Sequence, residues 1–273
     1  MGGSTSVRLV PASTFSIDEL ALTFTESFEG YAVPMDVDGP TFRRMAELFD
    51  IDADASLVAV RGDERVGLVN VGLRGRSAWI GGMGVTARER RGGIGEALMR
   101  AAHESAAERG AAEVWLEVIT TNEPAIRLYE KLGYEHVREL EIWAVEPVEA
   151  QASAARETGA REAHARVREL RREPEPWQRA DETLEHVLDA EGTIGLVGDG
   201  AAAVVRATES ATVVEQIAAE TADAAADVLA AALARGATLR LTNIPEGDEA
   251  ALAIRRFGDE PALRQHELRL ALT

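Results

Sequence analysis

The residues best suited to chemistry form one run, Val85-Thr86-Ala87-Arg88-Glu89-Arg90-Arg91-Gly92-Gly93-Ile94-Gly95-Glu96, which leads from an apolar, strand-like segment into a helix-like one. A glycine-rich turn of this kind points several unpaired backbone N–H groups at one spot, where the helix dipole also favours negative charge. Glycine is needed there because a side chain would hold an anion off the backbone or strain the turn. The run is therefore a candidate cradle for a pyrophosphate, and Arg90 or Arg91 can add a charged hydrogen bond. It is not a nucleotide P-loop, since no Gly-Lys-Ser/Thr follows, and its glycine spacing is not that of the dinucleotide fingerprint.

Apolar spacing places this run among alternating elements. Helices are expected at 16–28 and 39–49, and strands at 57–61 and 66–72 around Gly62-Asp63-Glu64. A strand at 79–85 enters the glycine-rich loop, and a helix at 94–108, closed by Gly110, leaves it. A buried strand at 114–119, a helix at 124–131 stopped by Gly133 and a strand at 136–145 follow. Residues 146–176 are rich in Ala, Glu and Arg and end in Glu173-Pro174-Glu175-Pro176, which reads as a helical connector followed by a break. Beyond it the order partly recurs: helix 181–189, strands 193–197 and 202–207 around Gly198-Asp199-Gly200, helix 221–235, strand 238–241, helix 248–256 and strand 266–272. Aligning Arg109-Gly110-Ala111 with Arg235-Gly236-Ala237 gives a weak internal repeat that implies two similar domains rather than a solenoid. The expected division is 1–147, a connector at 148–176, and 177–273.

The order Arg90-x-x-Gly93-x-Gly95 after Met83-Gly84-Val85, followed by Leu116-Glu117-Val118, Asn122 and Ala125-Ile126-Arg127-Leu128-Tyr129-Glu130-Lys131-Leu132-Gly133-Tyr134, resembles the GNAT superfamily of acetyl-CoA-dependent N-acetyltransferases. The likeness spans roughly residues 7–145. It implies an α/β (α+β) fold of two GNAT-like domains, each a mixed, mostly antiparallel sheet flanked by helices, with two central parallel strands splayed around the thioester. Those strands would be 79–85 and 114–119. The resemblance assigns acetyl-CoA as co-substrate, its pyrophosphate on Arg90, Arg91, Gly92, Gly93, Ile94, Gly95 and Glu96. Its pantetheine arm would lie on the backbone of Met83, Gly84 and Val85, with Asn122 touching it. Tyr129 falls at the usual general acid, which protonates the departing thiolate.

Each assignment has a plainer counterpart. Tyr129 also fits a packed ring with a wet hydroxyl, and Asn122 fits the N-cap of the helix after it. Many relatives carry a glutamate on the strand before the phosphate loop, but Trp79-Ile80-Gly81-Gly82-Met83-Gly84-Val85 has no acid. Glu117 is the substitute, because its surroundings resemble the branch that acetylates protein N-terminal amines with this glutamate as base. Strand alternation alone leaves open whether it faces the gap or a surface arginine. In this superfamily the acceptor pocket forms around the first two helices and their connection, here residues 26–36. That makes Glu29, Tyr31 and Asp36 candidates for binding an amine, although Phe28 and Tyr31 equally suit a core.

Composition narrows the classes. The chain has 273 residues, 46% hydrophobic, a net charge of -18 and no cysteine, which rules out disulfides, thiolate metal sites and a thiol nucleophile. The negative charge argues against nucleic acid, whose backbone is neutralised by Lys and Arg. No apolar run of membrane-spanning length and no signal-like opening appear, so no membrane association and a cytoplasmic location are expected. The charge is shared evenly, -9 in 1–147 and -9 in 148–273, so it marks no single cleft. Lys131 is the one lysine among 29 basic residues. His103, His136, His164, His186 and His266 form no spaced set with carboxylates, so they are read as structural and no metal is expected. In the second half the loop aligns with Gln216-Ile217-Ala218-Ala219-Glu220-Thr221 and the Tyr129 position with Ile254, which describes a silent copy. The expected function is acetyl transfer to a primary amine, on a small molecule or a peptide. The alternative is a non-catalytic acyl-CoA-binding regulatory module. The pattern leaves oligomeric state open.

Overall fold

The computed structural model describes residues 6–33, 35–147, 152–258 and 260–272, and the chain divides into two compact units. The first comprises 1–118, 122–136 and 268–273, and the second 119–121 and 137–267. The division is not linear: 137–147 belong to the second unit and 268–273 return to the first. Among the described residues no helix is long and apolar enough to cross a membrane.

The first unit opens with strand β1 (Val7–Pro11), helices α1 (Ile17–Ser27) and α2 (Gly39–Leu48), and strands β2 (Leu57–Arg61) and β3 (Glu64–Arg74). Strand β4 (Ser77–Val85), helix α3 (Ile94–Glu108), strand β5 (Glu113–Ile119) and helix α4 (Glu123–Lys131) follow, and strand β6 (Glu135–Val145) begins here. Helix α1 starts with a complete capping box between Ser16 and Glu19. Strands β1 to β4 are antiparallel neighbours in order, and β4 runs parallel to β5. Period-two alternation splits the apolar residues between the faces. Val58, Val60 and Leu68 join Phe24 and Phe42 under α1 and α2, whereas Ala59, Val71 and Leu116 join Leu98 and Met99 of α3.

Helix α1 approaches β4 so closely that Gly84 is required. A β-carbon there would lie 2.8 Å from Ser27 Cβ and 3.1 Å from Ser27 O. Gly84→Ala should therefore lower stability by about 1–3 kcal/mol, the usual cost of overpacking. An unchanged urea midpoint would show that α1 gives way freely. Phe24 of α1 crowds Gly82 in the same way, at 3.0 Å, whereas a β-carbon at Gly81 would meet the Trp79 ring.

The second unit holds most of β6, then β7 (Arg156–Thr158), α5 (Ala160–Leu170), α6 (Asp181–Glu185), β8 (Thr193–Gly198), β9 (Ala201–Ala207), β10 (Ala211–Ala219), α7 (Ala222–Leu233), β11 (Thr238–Pro245), α8 (Glu249–Ile254) and the first residues of β12 (Leu263–Ala271). Strands β7 to β10 are antiparallel in sequence, β10 runs parallel to β11, and β11 is antiparallel to β6. Helices α7 and α8 cover one face. Val167 and Leu170 of α5 cover the other, packed on Ala202 and Ala218.

Two expectations change here. The stretch read as a connector is integral to the second unit, since Ala163 and Val167 of α5 are fully buried; residues 148–151 lie outside the described part. Residues 216–219, aligned with the glycine loop, are the end of strand β10. Only Glu220 and Thr221 separate β10 from α7, and Thr221 Oγ1 accepts from Ala224 N at 3.2 Å. The second unit thus has no cradle, and its helix N-terminus is capped by its own side chain.

Candidate active site

Strands β4 and β5 pair only over Ser77–Glu113, Ala78–Val114 and Trp79–Trp115. Beyond that point they part, leaving the β5 side of residues 80–85 without a ladder partner. The glycine-rich loop lies at this parted end. A short 3-10 turn, Ala87–Glu89, leads to Arg91 at φ 66° and Gly93 at φ 81°, the N-cap of α3. No side chain caps α3, and its first helical bond is Ala97 N to Gly93 O. The N–H groups of Ile94, Gly95 and Glu96 therefore have no intrahelical acceptor. A β-carbon at Gly93 would meet nothing within 4 Å, so backbone conformation demands glycine there while the outer face stays bare. A bare, uncapped, positively polarised turn fits a pyrophosphate.

The two arginines differ. Arg90 donates from Nε to Val85 O at 2.9 Å, and from its guanidinium to Glu29 O at 2.6 Å and Ser27 O at 3.3 Å. It is a strut that ties the loop to the end of α1. Arg91 is exposed and makes no hydrogen bond or ion pair among the described residues, so it is the arginine available to an anion. Glu96 turns its carboxylate to Lys131 at 2.6 Å and Arg100 at 2.9 Å, whose hydrogen bonds hold its pKa below the usual value. Its N–H is what it offers the cradle. Met83 packs into the α3 side of the core, and Val85 O is taken by Arg90.

Glu117 lies on the parted stretch of β5, half-buried, and its Oε2 accepts from Trp79 Nε1 at 2.8 Å. Trp79 is itself fixed edge-on against Phe49 at the end of α2, ring centroids 5.5 Å apart. An indole therefore holds the carboxylate on the α2 side of the sheet.

Three further candidates converge. Asn122 accepts from Ala125 N at 3.4 Å as the N-cap of α4, and its side chain lies near enough to the Tyr31 hydroxyl to oppose the rise in that phenol's pKa. Tyr31 packs edge-on against Phe28 at 5.3 Å, and burial raises its pKa. Tyr129 is 7% exposed, and its pKa is raised by burial and then by Tyr31. Both phenols stay protonated at neutral pH, the state an acid needs. Glu29 and Asp36 are exposed, and the structure does not bring them to this cluster; Pro34 lies outside the described residues.

Sequence reasoning missed the support behind Tyr129. Its ring lies 5.6 Å from that of Tyr134, whose hydroxyl is 2.9 Å from His103 Nε2. His103 is half-buried rather than exposed, and burial, then Arg100, pulls its pKa down to about 4. Its folded value lies below the model value of 6.5, so the neutral ring is favoured in the native state. The stability it contributes is complete above pH ~6.5 and is lost as pH falls through about 4. Urea midpoints should fall from pH 7 to pH 4.5, and less so in His103→Gln. Equal slopes in the two proteins would remove His103 from that role. Two other histidines have carboxylate partners, His164 Nε2 at 3.0 Å from Asp181 and His266 Nδ1 at 2.7 Å from Glu139. No spacing in the sequence signals these pairs.

Residues 20–134 match the Acetyltransferase (GNAT) family. A 42-residue stretch is 52% identical to streptothricin acetyltransferase of Streptomyces lavendulae, covering 15% of this chain and 22% of that protein. A 67-residue stretch is 43% identical to an N-alpha-acetyltransferase of Sulfurisphaera tokodaii, covering 24% and 40%. The matches thus span less than half of either relative. A tandem GNAT protein from the clavulanic acid biosynthesis pathway superposes with a TM-score of 0.66 at 15% identity, over 97% of this chain and 98% of that one. Residues 20–134 are thus similar to the GNAT acetyltransferases, and the chain as a whole shares the fold of a tandem GNAT protein.

Proposed function

We propose that the chain transfers an acetyl group from acetyl-CoA to a primary amine by direct attack within a ternary complex. The observation that carries this reading is the parting of β4 and β5 between an uncapped glycine cradle and two groups that can move protons, Glu117 and Tyr129. Acetyl-CoA supplies the activated acyl group. Arg91 and the N–H groups of Ile94, Gly95 and Glu96 would hold its pyrophosphate, and the free edge of β4 its pantetheine arm.

Glu117, steadied by the Trp79 indole, takes the ammonium proton directly or through a water. Tyr129 gives its proton to the leaving sulfur. Tyr31, near Asn122 and Tyr129, is the acceptor-side candidate that this reading keeps. With no cysteine in the chain, a thiol-borne acyl enzyme is not part of the scheme. The N-alpha-acetyltransferase among the relatives supports an amine acceptor.

The absence of a carboxylate on β4 favours a second reading, an acyl-CoA-binding module that regulates a partner. Acetyl-CoA-dependent thiol release across a panel of primary amines separates the two. Turnover is expected, and tight calorimetric binding of acetyl-CoA without turnover for any amine would replace the enzyme with the module.

A further inference from the structure

The degenerate second unit repeats the splay of the first. Strands β10 and β11 pair over Ala211–Val214 and Thr238–Leu241 and then separate. A cavity of about 330 Å³ opens at their far ends, lined by Ile217, Ala218 and Ala219 of β10, Pro245 of β11, and the segments that follow α5 and precede α8. At about 30 Å³ of liquid volume per water, it has room for roughly ten non-hydrogen atoms.

Its floor is apolar: Leu170, Ile217, Ala218 and Ala219 are each no more than 8% exposed. Its rim holds charges of both signs whose pairing is incomplete. Arg171 gives one nitrogen to Asp181 at 2.7 Å and Gln216 at 3.0 Å, but its buried Nε has no hydrogen-bond partner and stands 3.8 Å from Glu175. Glu175 is already paired with Arg179 at 2.8 Å. Arg172 donates to Glu220 O at 3.0 Å and stands 3.8 Å from Glu249, beyond hydrogen-bond length. Asp248 accepts from Ala250 N at 2.7 Å and has no ion-pair partner among the described residues. Burial raises its pKa, opposed by the Ala250 N–H and by Arg179 and reinforced by Glu175 and Glu249. The guanidinium groups of Arg171 and Arg172 and the carboxylates of Asp248 and Glu249, set around one apolar-floored space, suit a ligand with one charge of each sign.

We propose that this cavity binds a free α-amino acid, its ammonium on Asp248 and Glu249, its carboxylate on Arg171 and Arg172, and its side chain on the apolar floor. The second unit is then a ligand-binding domain that has lost acyl transfer and kept the space between the strands. The site is independent of the acetylation chemistry.

The test uses the full chain carrying Tyr129→Phe, without acetyl-CoA, titrated calorimetrically with the twenty L-amino acids. One or more should bind with 1:1 stoichiometry. The amide of the best binder, which lacks the carboxylate, and its deaminated acid should each bind at least about tenfold more weakly, as losing one charge-assisted contact implies. Asp248→Asn should weaken binding as much while leaving the urea midpoint in place, because asparagine caps a helix as well as aspartate. Arg172→Gln, a change at an exposed side chain, should act likewise. No binding at millimolar concentration, equal binding of the amide and the acid, or unchanged binding in both variants would overturn the proposal. None of these outcomes depends on whether the first unit acetylates amines.

Discussion

Tyr129→Phe should lower kcat for acetyl transfer by roughly 10–10⁴-fold while leaving the affinity for acetyl-CoA nearly unchanged. The substitution removes one oxygen and keeps the ring, so the contacts with Tyr134 in the core survive. What goes is a proton donor whose environment keeps it protonated: burial and Tyr31 both disfavour its anion. A leaving thiolate without a nearby acid departs more slowly, and the loss falls on the chemical step, not on binding. Stopped assays with acetyl-CoA at saturation measure this directly, and turnover equal to wild type would return Tyr129 to a packing role. His103→Gln, acting through Tyr134, should change kcat far less than Tyr129→Phe, because it does not reach the sulfur.

Glu117→Gln should lower kcat/KM for the amine by about 10²–10⁴-fold at pH 7. Glutamine keeps an oxygen that can accept from Trp79 Nε1, so the side chain stays where the indole holds it and the strand is undisturbed. The pH profile separates the base from a mere positioning group. If Glu117 removes the proton, the variant loses the wild-type dependence and recovers activity as pH rises and the free amine becomes abundant. A parallel profile, lowered uniformly, would point instead to a base elsewhere. Trp79→Phe is the companion: it deletes the donor and keeps an aromatic ring against Phe49, and it should lower kcat less than Glu117→Gln does.

The glycine-rich turn before α3 and the strands on either side of it were legible because their signals are local. A glycine run between a strand and a helix has one physical use, and alternation in Leu57–Arg61 marks a strand with two packed faces. What was hidden depends on distance along the chain or on small side chains. Strand β10 contains Ala211, Ala218 and Ala219, and α5 is anchored partly by Ala163, all buried, yet alanine barely registers in hydrophobic spacing. The distinction between Arg90 and Arg91 rests on carbonyls of Ser27 and Glu29, some sixty residues away. The pairing of His103 with Tyr134 and of Glu117 with Trp79 likewise joins separate elements. Of the acceptor candidates, Tyr31 turns inward because its apolar ring packs on Phe28, whereas Glu29 and Asp36 remain solvated.

The non-linear division of the chain bears on how it is made. Leu268, Leu270 and Leu272 complete the core that surrounds Leu98, Met99 and Tyr129, yet they emerge from the ribosome only after the whole of 137–267 has been translated. The unit that holds the cradle therefore closes its core through contacts of very high sequence separation, a topology that folds slowly and exposes apolar surface while it waits. A shortened chain ending near residue 147 would lack those three leucines, and its apolar seam would stay open to solvent and to other nascent chains.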